Sequence, residues 1–306
     1  MMITDVTLAC LRKCGRAAGP LQTARWRDLL RGIGVDKVED LPDPGAIKPV
    51  YCESVADCCP SELAALHGQG PAAYGTGGRL RHASSRRLRL FGLDDALLRE
   101  DFLIFQAGLR QSGIPVEPAF GNTFGCATAL SLTWLTEGGE HLACSFAGIG
   151  NLAPLEEILT ALHLFEARKF AGLHLLPRAR ALFARLGGAA HAPTGETKAV
   201  IGPLLFAVEA GVHVDGLSKD AALYEPFAPE LVGARRYILL GAHSGRSSAR
   251  LWCAAAGLPC GEGRDADLAR AVRALSRERG RCLRDDEFFA LYKRVCRESD
   301  ASADCA

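Results

Sequence analysis

The chain has 306 residues, 48% of them hydrophobic and 23% charged, with 36 basic side chains set against 35 acidic ones. That balance excludes a disordered chain, and it excludes a uniform field of one sign that would draw in nucleic acid or an acidic membrane. The opening Met1-Met2-Ile3-Thr4-Asp5 has neither the basic segment nor the apolar core of a secretion signal, and no stretch approaches the roughly 20 apolar residues of a membrane span, so a cytoplasmic location is expected.

In chain order, Ile3 to Leu8 has the pattern of a buried opening strand, and Leu21 to Ile33 has helical spacing that Gly34 stops. Asp36 to Leu41 is a candidate second strand that runs at once into Pro42, Pro44 and Gly45. From Gly68 to Arg87 the composition turns to Gly, Ala, Ser and Arg, as in a loop. Leu88 to Phe91 restores strand character. An amphipathic helix follows from Asp95 to Gln111, with Leu98, Phe102, Phe105 and Leu109 along one side, and then a strand from Ile114 to Phe120. Ala127 to Thr136 reads as helix and His141 to Ala147 as an apolar strand. Leu155 to Phe170 reads as a helix opened behind Pro154 with Glu156 and Glu157 in its first turn. Alternation of this kind predicts a parallel α/β fold.

A further helix at Leu175 to Leu186 leads into the polar segment Ala189 to Thr197, which predicts a boundary between a domain at 1–188 and another at 198–306. The second part ends in helices at Asp265 to Arg279 and Asp285 to Val295, each opened by an acidic capping candidate, and is expected to be mostly helical. Twelve cysteines include no Cys-x-x-Cys pair, and no two of the eight histidines stand at i, i+2 or i, i+4. Free thiols are therefore expected in place of a zinc ribbon.

Motif order in the second half carries a resemblance. Lys198-Ala199-Val200-Ile201-Gly202, Glu209-Ala210-Gly211-Val212-His213-Val214-Asp215-Gly216-Leu217-Ser218-Lys219-Asp220, Tyr224-Glu225, Pro229-Glu230-Leu231-Val232-Gly233 and Leu240-Gly241-Ala242-His243-Ser244-Gly245-Arg246 follow one another. Together they are similar to the post-barrel region of homocitrate and isopropylmalate synthases, which are DRE-TIM metallolyases. With Val214 after His213, the segment looks more like the nitrogen-fixation type of homocitrate synthase. The stretch also resembles relatives that lack a C-terminal regulatory domain.

The resemblance implies an acyltransferase that condenses acetyl-CoA with a 2-oxo acid, 2-oxoglutarate for homocitrate synthase, on a (β/α)8 barrel holding one divalent metal, Mg, Mn or Zn. In that family a histidine and a tyrosine eleven positions apart serve enolisation, and His213 and Tyr224 keep the spacing. They are the candidate catalytic residues: an imidazole to accept or relay the methyl proton, and a phenol to hold a water or the developing oxyanion. The family's post-barrel region reaches over a partner's barrel mouth, which implies a homodimer, or a heterodimer with a full-length synthase.

The first half resembles the family with changes. Asp5-Val6-Thr7-Leu8 resembles the opening Asp-Thr-Thr-Leu-Arg-Asp, which makes Asp5 the candidate metal ligand, but Ala9 and Cys10 replace the Arg-Asp pair. Ala119-Phe120-Gly121-Asn122-Thr123-Phe124-Gly125 resembles the His-x-His-Asn-Asp-x-Gly motif with Ala119 and Gly121 in place of both metal-binding histidines, leaving Asn122 as the candidate substrate-binding residue. The span from Ile3 to Phe170 is short for a barrel that usually takes about 250 residues, so about two βα units are expected to be missing around residues 45 to 87. The expected fold is therefore α/β and TIM-barrel-derived, a shortened, incomplete parallel barrel with a C-terminal helical subdomain and a weakened metal site. Its function would be that of a homocitrate synthase-like acyltransferase. The alternatives are an inactive homologue that partners or regulates an intact synthase, and a scaffolding remnant.

Overall fold

The computed structural model describes residues 1–41, 43, 46–52, 63, 87–94, 96, 102–261 and 263–303. They form two compact units, Met1–Gly202 and Pro203–Ala306.

Strand β1 (Met2–Asp5) ends where Asp5 turns its carboxylate back on the chain, accepting from the Thr7 amide at 3.3 Å and from the Thr7 hydroxyl. This local turn offers the backbone an alternative to the sheet, and Thr7–Lys13 becomes helix α1. The strand expected to reach Leu8 thus stops at Asp5, and Thr7 and Leu8 are buried as part of a helix. Helix α2 (Pro20–Ile33) opens with proline, whose missing N–H costs nothing there, and closes at Gly34 in the left-handed region. Its inner face is Thr23, Trp26, Leu30 and Ile33, at spacings of three and four.

The first unit continues through β2 (Lys37–Val38), β3 (Ile47–Cys52), β4 (Arg87–Gly92), α3 (Phe102–Gln111), β5 (Val116–Phe120), α4 (Ala127–Thr136), β6 (His141–Cys144), α5 (Leu155–Leu164) and α6 (Leu176–Arg185). The strand ladders run β2-β1-β6 and β3-β4-β5, and every pairing between them is parallel. Strand β6 lies against β1, with Met2 opposite His141 and Asp5 opposite Cys144. Pairing of the last strand with the first is how a parallel sheet curls into a barrel. Among the described residues of this unit six strands, joined by parallel pairings and interleaved with helices, make an α/β domain consistent with a partial TIM-barrel-derived fold.

Strand β3 lies within the stretch around residues 45 to 87 where about two βα units are expected to be missing, so that stretch still supplies one strand. Ile47 pairs with Arg87, and the register runs unbroken to Cys52 opposite Gly92. Pro49 hides the strand in the sequence, because proline cannot donate to a ladder; β3 is an edge strand among the described residues, and Pro49 is exposed there. The two strands end so close together that a Cβ on Gly92, which has φ +92°, would stand 2.0 Å from the Cys52 carbonyl oxygen. Glycine is required at that point. The loop expected from Gly68 to Arg87 lies outside the described residues except for Arg87, which opens β4, and the helix expected from Asp95 is described from Phe102.

The second unit holds a short parallel pair, β7 (Ala207–Val208) and β8 (Tyr237–Ile238), with helices α7 (Gly211–Lys219), α8 (Arg246–Ala255), α9 (Arg264–Arg279) and α10 (Asp285–Ala303). Leu268, Val272, Phe288, Leu291 and Val295 from α9 and α10 enclose Ala249 and Cys253 of α8 in one core. Full burial of each such leucine, valine or phenylalanine contributes about 1.5–3 kcal/mol. Helix α10 is anchored at its start by Glu287, whose carboxylate accepts from Arg281 and from the Arg284 amide; those bonds lower its pKa to about 2. Among the described residues no helix is long and apolar enough to cross a membrane.

Candidate functional site

Parallel barrels place their chemistry at the C-terminal ends of the strands. Here those ends are Asp5, Val38, Cys52, Gly92, Phe120 and Cys144.

Asp5 is fully buried, and both its oxygens are committed. Oδ1 accepts from Thr7, and Oδ2 accepts from the Trp26 indole N–H at 2.8 Å. Thr7 in turn accepts from the Phe146 amide at 2.8 Å, tying α1 to the segment after β6. Burial raises the Asp5 pKa from 3.8 to about 6, with the hydrogen bonds from Thr7 and Trp26 pulling the other way. The carboxylate is thus a hub that locks β1, α1 and α2 together.

The positions where imidazoles would stand are closed. Ala119 is fully buried on β5. A Cβ on Gly121 would lie 1.5 Å from Oδ1 of Asp94, so no side chain fits there while Asp94 keeps its place. Among the described residues no group of three or more histidine, cysteine, aspartate or glutamate side chains comes close enough to hold a metal ion. A divalent cation needs several oxygen or nitrogen donors free to turn toward it. The donor set here, one buried carboxylate held by Thr7 and Trp26 beside an alanine and a glycine, does not fit one. Asn122 also has internal work: its Oδ1 accepts from the Ala127 amide at 3.1 Å at the start of α4, and its backbone N–H donates to the Asn151 carbonyl at 2.9 Å.

Below the mouth, the inward side chains form a polar network that the sequence reading did not single out. Arg89 of β4 donates to Glu117 of β5 (2.9 and 2.7 Å) and to Glu39 after β2 (2.6 and 3.1 Å), and the Thr4 hydroxyl of β1 donates to Glu117 at 2.7 Å. All four are buried. Burial alone would raise the Glu117 carboxyl, but Arg89 and Thr4 outweigh it and hold the pKa below the usual value. For Arg89, burial opposes the charge and the two glutamates more than restore it. The available signal was one charge in the middle of each apolar strand, Leu88-Arg89-Leu90 and Val116-Glu117-Pro118, with opposite signs.

Above this layer a cavity of about 530 Å³ is lined by Val6, Ala9, Cys10, Leu41, Ile47, Pro49, Tyr51, Phe91 and Leu152, with Arg12, Lys13, Glu39, Asp40 and Arg89 supplying its charges. Ala9 and Cys10, the two departures from the Arg-Asp pair, form part of its wall. Burial, and secondarily the nearby Asp5 charge, push the Cys10 thiol up to about 11, so it stays neutral and apolar in character.

His213 and Tyr224 belong to the second unit. His213 lies on α7, Tyr224 follows a short 3-10 turn at Ala221–Leu223, and their rings meet edge to face with centroids 5.6 Å apart. Both are exposed. The turn is fixed by Asp220, which accepts from the Ala222 amide at 3.0 Å, and by the absence of a side chain at Gly216, where a Cβ would stand 2.4 Å from the Tyr224 hydroxyl.

Residues 200–280 match the family model described as the homocitrate synthase post-HMGL domain-like family. The putative (R)-citramalate synthase of Methanosarcina acetivorans is 28% identical over 274 residues, covering 88% of this chain and 54% of that protein. Homocitrate synthase 1 of Nostoc sp. is 32% identical over 186 residues, 59% of this chain and 48% of its own length. The 2-isopropylmalate synthase of Bacillus velezensis is 39% identical over 130 residues, 40% of this chain and 24% of that enzyme. A parallel α/β unit followed by a mostly helical unit is consistent with a partial TIM-barrel-derived fold that carries a helical region after it. The match over residues 200–280 and these relatives make the chain similar to the homocitrate, isopropylmalate and citramalate synthases and support kinship with that family. The chain spans about half or less of the length of these relatives.

Proposed function

We propose that this chain is a cytoplasmic homologue of the 2-oxo-acid condensing synthases that does not itself perform metal-assisted condensation, and that it acts as a partner or regulator of an intact synthase of the same family. The observation that carries this reading is the state of Asp5. In metal-assisted condensation the ion polarises the ketone of the 2-oxo acid and neutralises the alkoxide that forms. A fully buried carboxylate that already accepts from Thr7 on one oxygen and from Trp26 on the other cannot turn toward such an ion unless the junction of β1, α1 and α2 comes apart. Ala119 and Gly121 bring no donor to the same strand end.

A second reading, that of a homocitrate synthase-like acyltransferase acting on acetyl-CoA and 2-oxoglutarate, is favoured by the His213–Tyr224 pair. The imidazole would take the methyl proton of the thioester and the phenol would hold the enolate oxygen. In the first reading this exposed pair is what the chain would offer to the barrel mouth of a partner.

Release of CoA thiol separates the two. With acetyl-CoA, 2-oxoglutarate and Mg or Mn, the protein alone releases none above the no-enzyme rate. Mixed with a full-length homocitrate synthase from the same cell, it changes that enzyme's rate, and His213→Ala removes the change. Metal-dependent turnover by the isolated chain, abolished by His213→Ala, would establish the second reading and end the first.

A further inference from the structure

From the barrel mouth we infer a metal-independent binding site for a small monocarboxylate with an apolar body, seated in the cavity above Arg89 with its carboxylate on Lys13. The volume of about 530 Å³ lies within the range of pockets that enclose small organic molecules. Its walls are apolar, from Val6, Ala9 and the neutral Cys10 on one side to Leu152 and Phe91 on the other. Phe91 is backed by Tyr51, the two rings stacked 5.1 Å apart at 17°, which gives the cavity a flat, rigid aromatic wall.

The charges of the lining decide what the ligand carries. Arg12 is held by both oxygens of Asp40, at 2.6 and 2.7 Å, and Arg89 is clamped between Glu39 and Glu117. Lys13 differs: among the described residues no carboxylate lies within ion-pair distance of it, and its ammonium sits 5.7 Å from the centre of the Phe91 ring. One uncommitted cation at the rim of an apolar cavity calls for one anionic group on an apolar body. A second carboxylate would have to be buried against methyl groups or beside Glu39 and Asp40, which costs several kcal/mol without a partner. Dicarboxylates are therefore disfavoured. The carboxylates of the lining, Glu39 and Asp40, are taken up by Arg89 and Arg12, and among the described residues no group of three or more ligand-type side chains could hold a metal ion, so binding is expected without one. This inference stands whether or not the chain turns over acetyl-CoA, and its test involves no thioester.

Calorimetric titration with 3-phenylpropionate in EDTA tests it, with glutarate and 3-phenylpropanamide as comparison probes. Saturable binding of 3-phenylpropionate is expected, about tenfold tighter than either comparison probe, with the same affinity when Mn replaces EDTA. Lys13→Gln, at an exposed position, should weaken 3-phenylpropionate about tenfold and leave the amide unchanged. Ala9→Phe, which fills the cavity, should abolish binding of both. No saturable binding to the wild-type chain, glutarate binding as tightly as 3-phenylpropionate, a requirement for Mn, or an affinity that Lys13→Gln leaves intact would each overturn the inference.

Discussion

Asp5→Asn distinguishes a structural carboxylate from a metal ligand. In the folded chain the Asp5 pKa is raised above its unfolded value of 3.8 to about 6, so the folded state holds the proton more tightly. The stability this contributes is complete below about pH 4 and is lost as pH rises through about 6, a change of about 3 kcal/mol. Asparagine cannot titrate, and it exchanges one acceptor for a donor. With its carbonyl kept on Trp26, its amide N–H faces the Thr7 hydroxyl and amide, and at least one hydrogen bond is lost, costing about 1–3 kcal/mol. The variant is thus expected to be less stable than wild type near about pH 4.5, and equal or slightly more stable near about pH 8. Urea unfolding followed by tryptophan fluorescence reports this, with Trp26 touching the substituted group and Trp134 and Trp252 contributing to the same signal. The reasoning fails if the stability difference is the same at both pH values. It fails equally if Mn stabilises the wild-type chain by more than about 1 kcal/mol and leaves the variant unmoved, the signature of a bound ligand.

Arg89→Met should cost about 3–5 kcal/mol in urea unfolding, since it leaves Glu39 and Glu117 as buried charges without their shared cation. Lys198→Met removes the ammonium beside Glu156, a fully buried carboxyl that burial already raises from 4.5 to about 7. Its folded pKa should climb further, so the stability lost between about pH 5 and pH 8, read from melting temperature, should grow in the variant. Gly92→Ala forces a Cβ onto the Cys52 carbonyl at a positive φ and should destabilise the first unit by about 2–4 kcal/mol, seen as a lower urea midpoint. His213→Ala, at an exposed ring, should leave stability within about 0.5 kcal/mol in the same measurement.

Much of the fold is legible in the sequence where periodicity is strong. Helices α2, α4 and α5 and strands β4 and β6 arise from apolar spacing that packing then uses. Strand β3 is not legible, because Lys48, Pro49 and Tyr51 break the apolar pattern, and Pro49 and Tyr51 face the open cavity where they stay exposed. The end of β1 is missed for a different reason: the side chain of Asp5 decides it through two bonds to Thr7, and hydropathy does not register a hydrogen bond. At the site, the replacements at Ala9, Cys10, Ala119 and Gly121 are readable residue by residue. What they build together is not, since the cavity draws its wall from segments up to 146 positions apart, Val6 and Leu152 among them. The same holds for Arg89, whose partners come from β5 and from the residue that follows β2.

The β1–β6 pairing has a consequence for synthesis on the ribosome. Strand β1 finds β2 within some 30 residues, but its other flank waits for Cys144 to emerge. At about 5–20 residues per second, the nascent chain carries that open flank for roughly 5–20 seconds after β2 is made. Buried positions such as Ile3 stay uncovered on that side for the same interval, so this stretch is where a chaperone or a stray strand would first compete for the chain.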